Sequence, residues 1–370
     1  MSRHPIDLVV IHCPVGGGHK AAAFAIAEAA RARGLTVCVL DAFEHAPRWA
    51  GEAYLAAHLA GQNAAPEIYG RMYESANRRD GVLEPLRLEI DNLVFGALAE
   101  RVRELAPRAI IATHHLPLVV LGRARRERTL DAPVIGVVTD YTSHACWAEH
   151  GVDVWAVPCR EAALELEAHG APSGRIVLAG IPVRAAFEHI APLPIARDDV
   201  LRVLVTSGGF GAAPITKIVR SFRGIPRVAL TVVCGAAHRL EARVARAARE
   251  AGVDATVIGF ERDMPARMAE AHVVVGKAGG LTVTETLTAG RPMIIAAAVP
   301  GNEKANEERV VRAGAGVAAL PREVGRAVDA LRLQGLLEVM GRRARANVPR
   351  GAAGRIVEIA HFLARHQYAA

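Results

Sequence analysis

Short runs of β-branched and aliphatic residues recur along the chain, separated by alanine-rich segments whose apolar positions repeat at helical spacing. In the first half these runs are Asp7–His12, Leu35–Leu40, Arg108–Thr113, Pro133–Val138, Val152–Val157 and Arg175–Ala179. In the second half they are Leu201–Thr206, Arg227–Val233, Ala255–Gly259, His272–Val275 and Pro292–Ala298. Strand and helix patterns alternating in this way predict an α/β protein with two parallel sheets covered by helices. Pro182, Pro192 and Pro194, with Arg197-Asp198-Asp199, mark a linker near residues 188–199. The expected organisation is two Rossmann-like domains facing across a cleft, residues 1–190 and 191–350. A C-terminal helix over 351–370 is a candidate to return to the first domain.

Residues 42–105 interrupt the rhythm: they contain no convincing strand, yet hold Trp49, Tyr54, Tyr69 and Tyr73 in a chain that is only 4% aromatic. The pattern predicts a helical insert. Its aromatic surface suits either a lipid or membrane contact or ordinary helix packing.

Composition narrows the class. With 370 residues, 51% hydrophobic and 22% charged, the chain has the make-up of a well-packed globular protein rather than a disordered one. No run of 18 apolar residues occurs, and the N-terminus lacks the basic and apolar regions of a signal peptide, so a soluble or peripheral cytoplasmic protein is expected. The five cysteines, Cys13, Cys38, Cys146, Cys159 and Cys234, are scattered and form no Cys-x-x-Cys pair, which points to core filling rather than disulfides or zinc. The net charge of +7 is uneven: residues 1–190 carry 19 Lys/Arg against 22 Asp/Glu, the remainder 26 against 16. The basic patches, Arg239 to Arg249 and Arg342 to Arg355, suit anionic lipid headgroups or nucleic acid, or are a solvated face. Only four of the 45 basic residues are lysines, so the arginines also fit a compositional bias.

The densest chemistry lies between residues 272 and 306. The strand pattern His272-Val-Val-Val-Gly276 runs into Gly279 and Gly280, where the chain turns and backbone N–H groups open at the mouth of the next helix. A helix N-terminus carries roughly +0.5 charge, enough to hold a diphosphate, and Thr282 and Thr284 offer hydroxyls beside it. Glu285 lies one turn further, where a carboxylate accepts from the vicinal hydroxyls of a ribose. Similar glycine turns follow other strands: Thr206-Ser-Gly208-Gly209-Phe-Gly211, Val232-Val-Cys-Gly235, and Gly16, Gly17 and Gly18 before His19. In open α/β sheets ligands bind at the carboxyl ends of strands, so these loops belong on binding rims. The first loop is neither a Walker A loop nor a Gly-x-Gly-x-x-Gly turn, which argues against ATP and NAD. A histidine at a helix start has its charged form disfavoured, so His19 is a candidate general base.

Asp140, His144, Cys146 and His150 cluster within eleven residues but match no zinc template, so they read as polar residues lining a rim rather than as a metal site. The chain has no Asp-x-Asp, the pattern with which many sugar transferases hold a divalent ion. Helix dipoles and amides must then neutralise a diphosphate, and no metal or other cofactor is expected.

Gly16-Gly-Gly-His19, the segment from Asp140 to Trp147, Gly180-Ile-Pro-Val-Arg184-Ala-Ala-Phe187 and Gly259-Phe260 occur in the same order as in one known family. So do Lys277-Ala-Gly-Gly-Leu-Thr-Val-Thr-Glu285 and Pro300-Gly-Asn-Glu-Lys-Ala-Asn306. Together they resemble the monogalactosyldiacylglycerol synthase and bacterial diacylglycerol glucosyltransferase family, related to the peptidoglycan N-acetylglucosaminyltransferase. The resemblance implies a GT-B glycosyltransferase whose second domain binds a UDP-sugar as co-substrate. The Phe260 backbone would lie near the uracil, Glu285 on the ribose, and Gly279, Gly280, Leu281 and Thr282 on the diphosphate, with Gly208, Gly209 and Gly235 on the same rim. Asn302, Glu303 and Asn306 would lie near the hexose, with Glu303 counted beside His19 as catalytic. The first domain would bind the acceptor through Gly16, Gly17, Gly18 and Asp140, with Ala65-Pro66-Glu-Ile-Tyr69 in a lipid-facing insert. Where the family usually has Gln-Glu this chain has Asn302-Glu303, one methylene shorter, so the hexose is open between glucose and galactose.

The expected function is an inverting transfer of that hexose from UDP to diacylglycerol or a similar lipid, on the inner face of the cell membrane. An anionic membrane surface is then the expected partner and nucleic acid is not. Alternatives are a tailoring transferase for a soluble metabolite, a UDP-sugar epimerase of the same architecture, and a silent UDP-sugar-binding module.

Overall fold

The structure, a computed structural model, describes residues 6–54, 56, 77, 84–196, 199–208 and 214–367. The chain divides into two compact units, Met1–Ala185 with Gly351–Ala370, and Ala186–Arg350.

The sheet of the first unit is built from β1 (Leu8–His12), β2 (Val37–Asp41), β3 (Ala109–Ala112), β4 (Val134–Val137), β5 (Val154–Val157) and β6 (Ile176–Leu178). All pairs are parallel, in the order β2-β1-β3-β4-β5-β6. β1, β3 and β4 are buried along their whole length, which is why they read as continuous apolar runs rather than alternating ones. Leu8, Val10, Ile111, Ile135 and Val137 meet Ala23, Ile26 and Ala30 of the helix Gly17–Arg31. The final helix, Ala352–Gln367, packs Ile356, Val357 and Ala360 into this same core, and Arg355 Nη2 ties it to the carbonyl of Ala179 at 2.6 Å. Alanines on these helices let the backbones sit close to the sheet, and each buried Ile or Val adds about 1.5–3 kcal/mol.

In the second unit the sheet comprises β7 (Leu201–Thr206), β8 (Val228–Val233), β9 (Asp254–Ile258), β10 (Val273–Lys277), β11 (Met293–Ala297) and β12 (Gly316–Ala318), in the order β12-β11-β10-β7-β8-β9. All pairs are again parallel. β12 carries no strand signal in the sequence: three residues, Gly-Val-Ala, too short for a period, are held by pairing with Met293–Ile295. In each sheet the strand order reverses once, between β1 and β3 and between β7 and β10. Loops leaving neighbouring strands part there, which makes the carboxyl edge at that point the natural ligand crevice.

Of the segment 42–105, the described parts are a short turn of 3₁₀ helix at Ala42–His45, residues 46–54, 56 and 77, and the long helix Glu84–Leu105; none of them is a strand. Phe43 packs its ring against Tyr54 and Phe95, with centroids 5.6 and 5.7 Å apart, while Trp49 is 70% exposed. Tyr69, Tyr73 and the Ala65–Tyr69 stretch lie outside the described residues.

The helix Leu116–Arg126 fixes the polar segment after β4 through a glycine contact. A Cβ on Gly122 would lie 2.2 Å from the His150 carbonyl, and Gly151 adopts φ 91 against the same turn. Gly122→Ala is therefore expected to destabilise the protein by about 1–3 kcal/mol, measured by thermal denaturation.

Candidate functional site

At the carboxyl edge of the first unit, Gly16 adopts φ 72 and the helix begins at Gly17, three residues before Lys20, near which the alanine-rich pattern begins. The glycines thus form the first helical turn rather than a loop ahead of it. This places His19 near the helix mouth with its ring turned across the switch point. His19 Nδ1 lies 2.7 Å from the Thr113 carbonyl, just past β3, and 2.9 Å from Thr139 Oγ1, just past β4. A carbonyl can only accept, so the ring proton sits on Nδ1 and the lone pair of the neutral imidazole is on Nε2. Thr113 returns its hydroxyl to the His19 carbonyl at 2.9 Å, fixing both backbone and ring. His114 packs edge-on against His19 at 4.5 Å, and its own Nδ1 accepts from the Leu116 N–H at 3.2 Å. Burial holds the His19 pKa below its ordinary value, while the charge of Asp140 and the bond to Thr113 pull the other way. The pair His19 and Asp140 is thus brought together by the fold.

The segment after Asp140 folds as a cap and not as a ligand cluster. His144 Nδ1 accepts from the Cys146 N–H at 3.2 Å, and the Trp155 indole N–H donates to Trp147 O at 2.7 Å. Among the described residues no group of three or more His, Cys, Asp or Glu side chains gathers as metal ligands do. All five cysteines are free thiols, with Cys13, Cys159 and Cys234 buried. Burial pushes the Cys13 thiol well up and that of Cys234 to about 11, so both are inert.

In the second unit, the loops of β9, β8, β7, β10 and β11 line one carboxyl edge in that order. Gly208 and Gly235 turn at φ 69 and 65, and Gly235 N–H donates to Gly259 O at 3.2 Å. Phe260 is 63% exposed beside them. Gly209 lies outside the described residues. On the other side of the switch point the helix Gly280–Thr288 starts from Gly279 with no acidic residue in its first turn and no side-chain cap on its amides. Thr282 and Glu285 are partly exposed on this helix, and Leu281 lies between the glycines and Thr282. Thr284 differs from the sequence expectation. It is fully buried, and its hydroxyl donates to Gly280 O at 2.7 Å, leaving nothing for a ligand.

The helix Asn302–Arg312 brings the second half of the motif against the first. Glu303, 5% exposed, holds Lys277 Nζ at 2.6 Å with one oxygen and the Val299 N–H at 2.9 Å with the other. Asn306 is fully buried and donates Nδ2 to Ala278 O at 2.9 Å, bracing the glycine turn from behind. Asn302 stands at the first position of the helix, partly exposed. In the sequence Lys277 is only one position of a motif. Its pairing across 26 residues has no local signal beyond a lysine at a strand end.

A family model for monogalactosyldiacylglycerol (MGDG) synthase matches residues 19–183, and one for the glycosyltransferase family 28 C-terminal domain matches residues 202–338. The chain thus carries an MGDG synthase domain followed by a glycosyltransferase family 28 C-terminal domain. The two matches follow the two units and include His19, Thr113 and Asp140 in the first and Lys277, Glu285 and Glu303 in the second. A processive diacylglycerol beta-glucosyltransferase of Bacillus mycoides is 23% identical over 326 residues, covering 86% of this chain and 82% of that protein. Monogalactosyldiacylglycerol synthase 3 of Arabidopsis thaliana, a chloroplast protein, is 32% identical over 240 residues, 58% of this chain and 50% of the plant protein. Among solved structures, Acinetobacter baumannii MurG superposes with a TM-score of 0.64 at 18% identity, over 96% of this chain and 99% of MurG. The glycosyltransferase therefore has the GT-B fold, as its motif order led us to expect. Among its described residues no helix is long and apolar enough to cross a membrane.

Proposed function

We propose that this glycosyltransferase moves glucose or galactose from a UDP-sugar to diacylglycerol or a similar lipid alcohol, inverting the anomeric centre, on the inner face of the cell membrane. The observation that carries the reading is the helix mouth at Gly279–Gly280, on the switch point of its sheet, with Lys277 and Glu303 beside it and Glu285 one turn in. In this reading the helix amides neutralise the diphosphate, Glu285 accepts from the ribose hydroxyls and Asn302 meets the hexose, while Glu303, with its oxygens on Lys277 and the Val299 N–H, shapes the site rather than touching the sugar. Gly208, Gly235 and the Phe260 backbone hold the nucleoside end, and Asn306 keeps the glycine turn in shape. The acceptor hydroxyl, set by the glycine loop and Asp140, gives its proton to His19 Nε2. Its oxygen bonds to the anomeric carbon while the carbon–phosphate oxygen bond breaks and UDP leaves. No metal or other cofactor enters this scheme. The relatives' names, which specify diacylglycerol and MGDG products, support the lipid acceptor.

The deciding experiment incubates the purified protein with UDP-glucose or UDP-galactose and diacylglycerol in mixed anionic vesicles, without added metal, followed by mass spectrometry. A hexosyl-diacylglycerol is the expected product. UDP binding with no lipid product would instead favour a soluble acceptor, and interconversion of the sugar nucleotide without acceptor would favour an epimerase. Glu285→Ala is expected to weaken UDP about 10- to 100-fold by calorimetry, the worth of hydrogen bonds to a charged group. Unchanged affinity would take Glu285 out of the donor site.

A further inference from the structure

The second unit holds a cavity of about 280 Å³ that none of the preceding chemistry uses. It lies at the amino edge of the sheet, where His272 precedes β10 and Pro292 precedes β11, the end opposite the glycine loops. Leu193, Pro194 and Leu337 supply apolar walls, and Arg291, Arg342 and Arg345 line it with guanidinium groups.

Arg291 is 2% exposed, and its partners are all neutral carbonyls: Nε to Met268 O at 2.9 Å, and Nη2 to Ala191 O at 3.0 Å and Ala269 O at 3.1 Å. Arg345 Nη2 likewise holds Ile190 O and, at 3.2 Å, Ala289 O. Nearby, Arg202 Nε donates to Glu270 O at 2.6 Å, and the Arg202 N–H donates to His272 Nδ1 at 3.0 Å. Several of these carbonyls close the helices Met264–Glu270 and Gly280–Thr288, so the arginines cap helix ends. A helix end supplies only about half a negative charge, however, and among the described residues neither Arg291 nor Arg345 has a carboxylate partner. The carboxylates in the neighbourhood are engaged or offset: Glu338 accepts from Ile195 N–H at 3.3 Å and faces Arg342 at 3.9 Å, and Asp199 acts on His272.

The accumulated positive charge bears on both Arg291 and His272. Burial, with Arg345 and Arg202, brings Arg291 down to about 10, and burial, with Arg202 and Arg291, brings His272 down to about 4. A buried cation without a counter-charge is costly, and an oxyanion is the group that guanidinium forks bind in pairs.

We propose that this cavity is an anion site, distinct from the donor site, that takes a phosphate-type oxyanion on Arg291, Arg342 and Arg345 with a short apolar portion against Leu193 and Leu337. Pro192, Leu193, Pro194 and Ile195 form one wall, and the preceding Ala191 already lends its carbonyl to Arg291, so an anion here fastens that segment. A free phosphate and the glycerophosphate headgroup of an anionic lipid share this chemistry.

The test titrates the full chain, with its donor site saturated by UDP, with inorganic phosphate, with dihexanoyl-phosphatidylglycerol and with dihexanoyl-phosphatidylcholine, by calorimetry. We expect phosphate or the anionic lipid to bind in the presence of UDP. Binding should weaken at least tenfold in Arg345→Gln and in Leu193→Trp, which fills the cavity without removing an arginine, while UDP affinity stays within twofold. Tighter binding of phosphatidylglycerol than of phosphate identifies a lipid headgroup as the source, and equal binding identifies the free anion. Anion binding abolished by UDP, binding unchanged in both variants, or equal binding of phosphatidylcholine would overturn the proposal.

Discussion

His19→Ala is expected to lower kcat by about 10²–10⁴, the loss of a general base, with the Kd for UDP unchanged. The expectation rests on the tautomer. Thr113 O takes the Nδ1 proton at 2.7 Å, so the basic lone pair is on Nε2, and no described residue provides another histidine in the same hydrogen-bonded setting at the glycine loop. The same geometry sets a pH signature. Burial places the His19 pKa below 6.5, so the neutral base persists through neutrality and kcat/KM should fall only as pH drops through the lowered value. Asp140 opposes that shift, stabilising the imidazolium. Asp140→Asn should therefore move the acid limb to still lower pH, whatever it does to the plateau. A limb that moves upward, or full activity in His19→Ala, would remove this pair from the reaction. Pre-steady-state turnover with UDP-hexose, measured between pH 4 and 9, separates the two variants.

Lys277→Met is expected to destabilise the protein by about 3–5 kcal/mol, because it leaves the carboxylate of Glu303 buried beside an apolar chain. Glu303 is 5% exposed, and the Val299 N–H that its other oxygen accepts at 2.9 Å does not replace a cation at 2.6 Å. For a domain of this size the loss corresponds to a fall in Tm of roughly 6–20 °C. Adding Glu303→Gln removes the uncompensated charge, so the double variant should recover a substantial part of that fall. If Lys277→Met melts within a degree of the parent and the double variant is no better, the pair is not a buried bridge. UDP titration of the double variant then tests its role in shaping the donor site independently of stability.

The fold was legible because its signals are local. The stretches 273–275 and 203–205 are buried on both faces and so appear as unbroken apolar runs, and glycine turns mark the carboxyl ends of their strands. Helix starts could be read closely enough to select His19 and Glu285, since a glycine before an alanine- or threonine-rich helix is a short-range pattern. β12 escaped because Gly316–Ala318 is a strand only through its neighbour, and the helix start at Gly17 was misplaced because glycine carries no helical preference of its own. Thr284 departs from the pattern for the opposite reason. A helical threonine has two ways to spend its hydroxyl, and only the packing shows that it turned back to Gly280 O.

By itself, then, the sequence determined the two parallel α/β units, the motifs at their carboxyl edges and the family they resemble, since all of these are written in periodicities and short spacings. The tertiary structure alone decided which way each polar group points. His19 meets Thr113 and Thr139, 94 and 120 residues away, and that contact chooses the tautomer. Lys277 is claimed by Glu303, Asn306 turns inward to Ala278, and the arginines at residues 291 and 345 gather around a cavity. Such pairings depend on which strands lie side by side, and no local pattern encodes a neighbour a hundred residues distant.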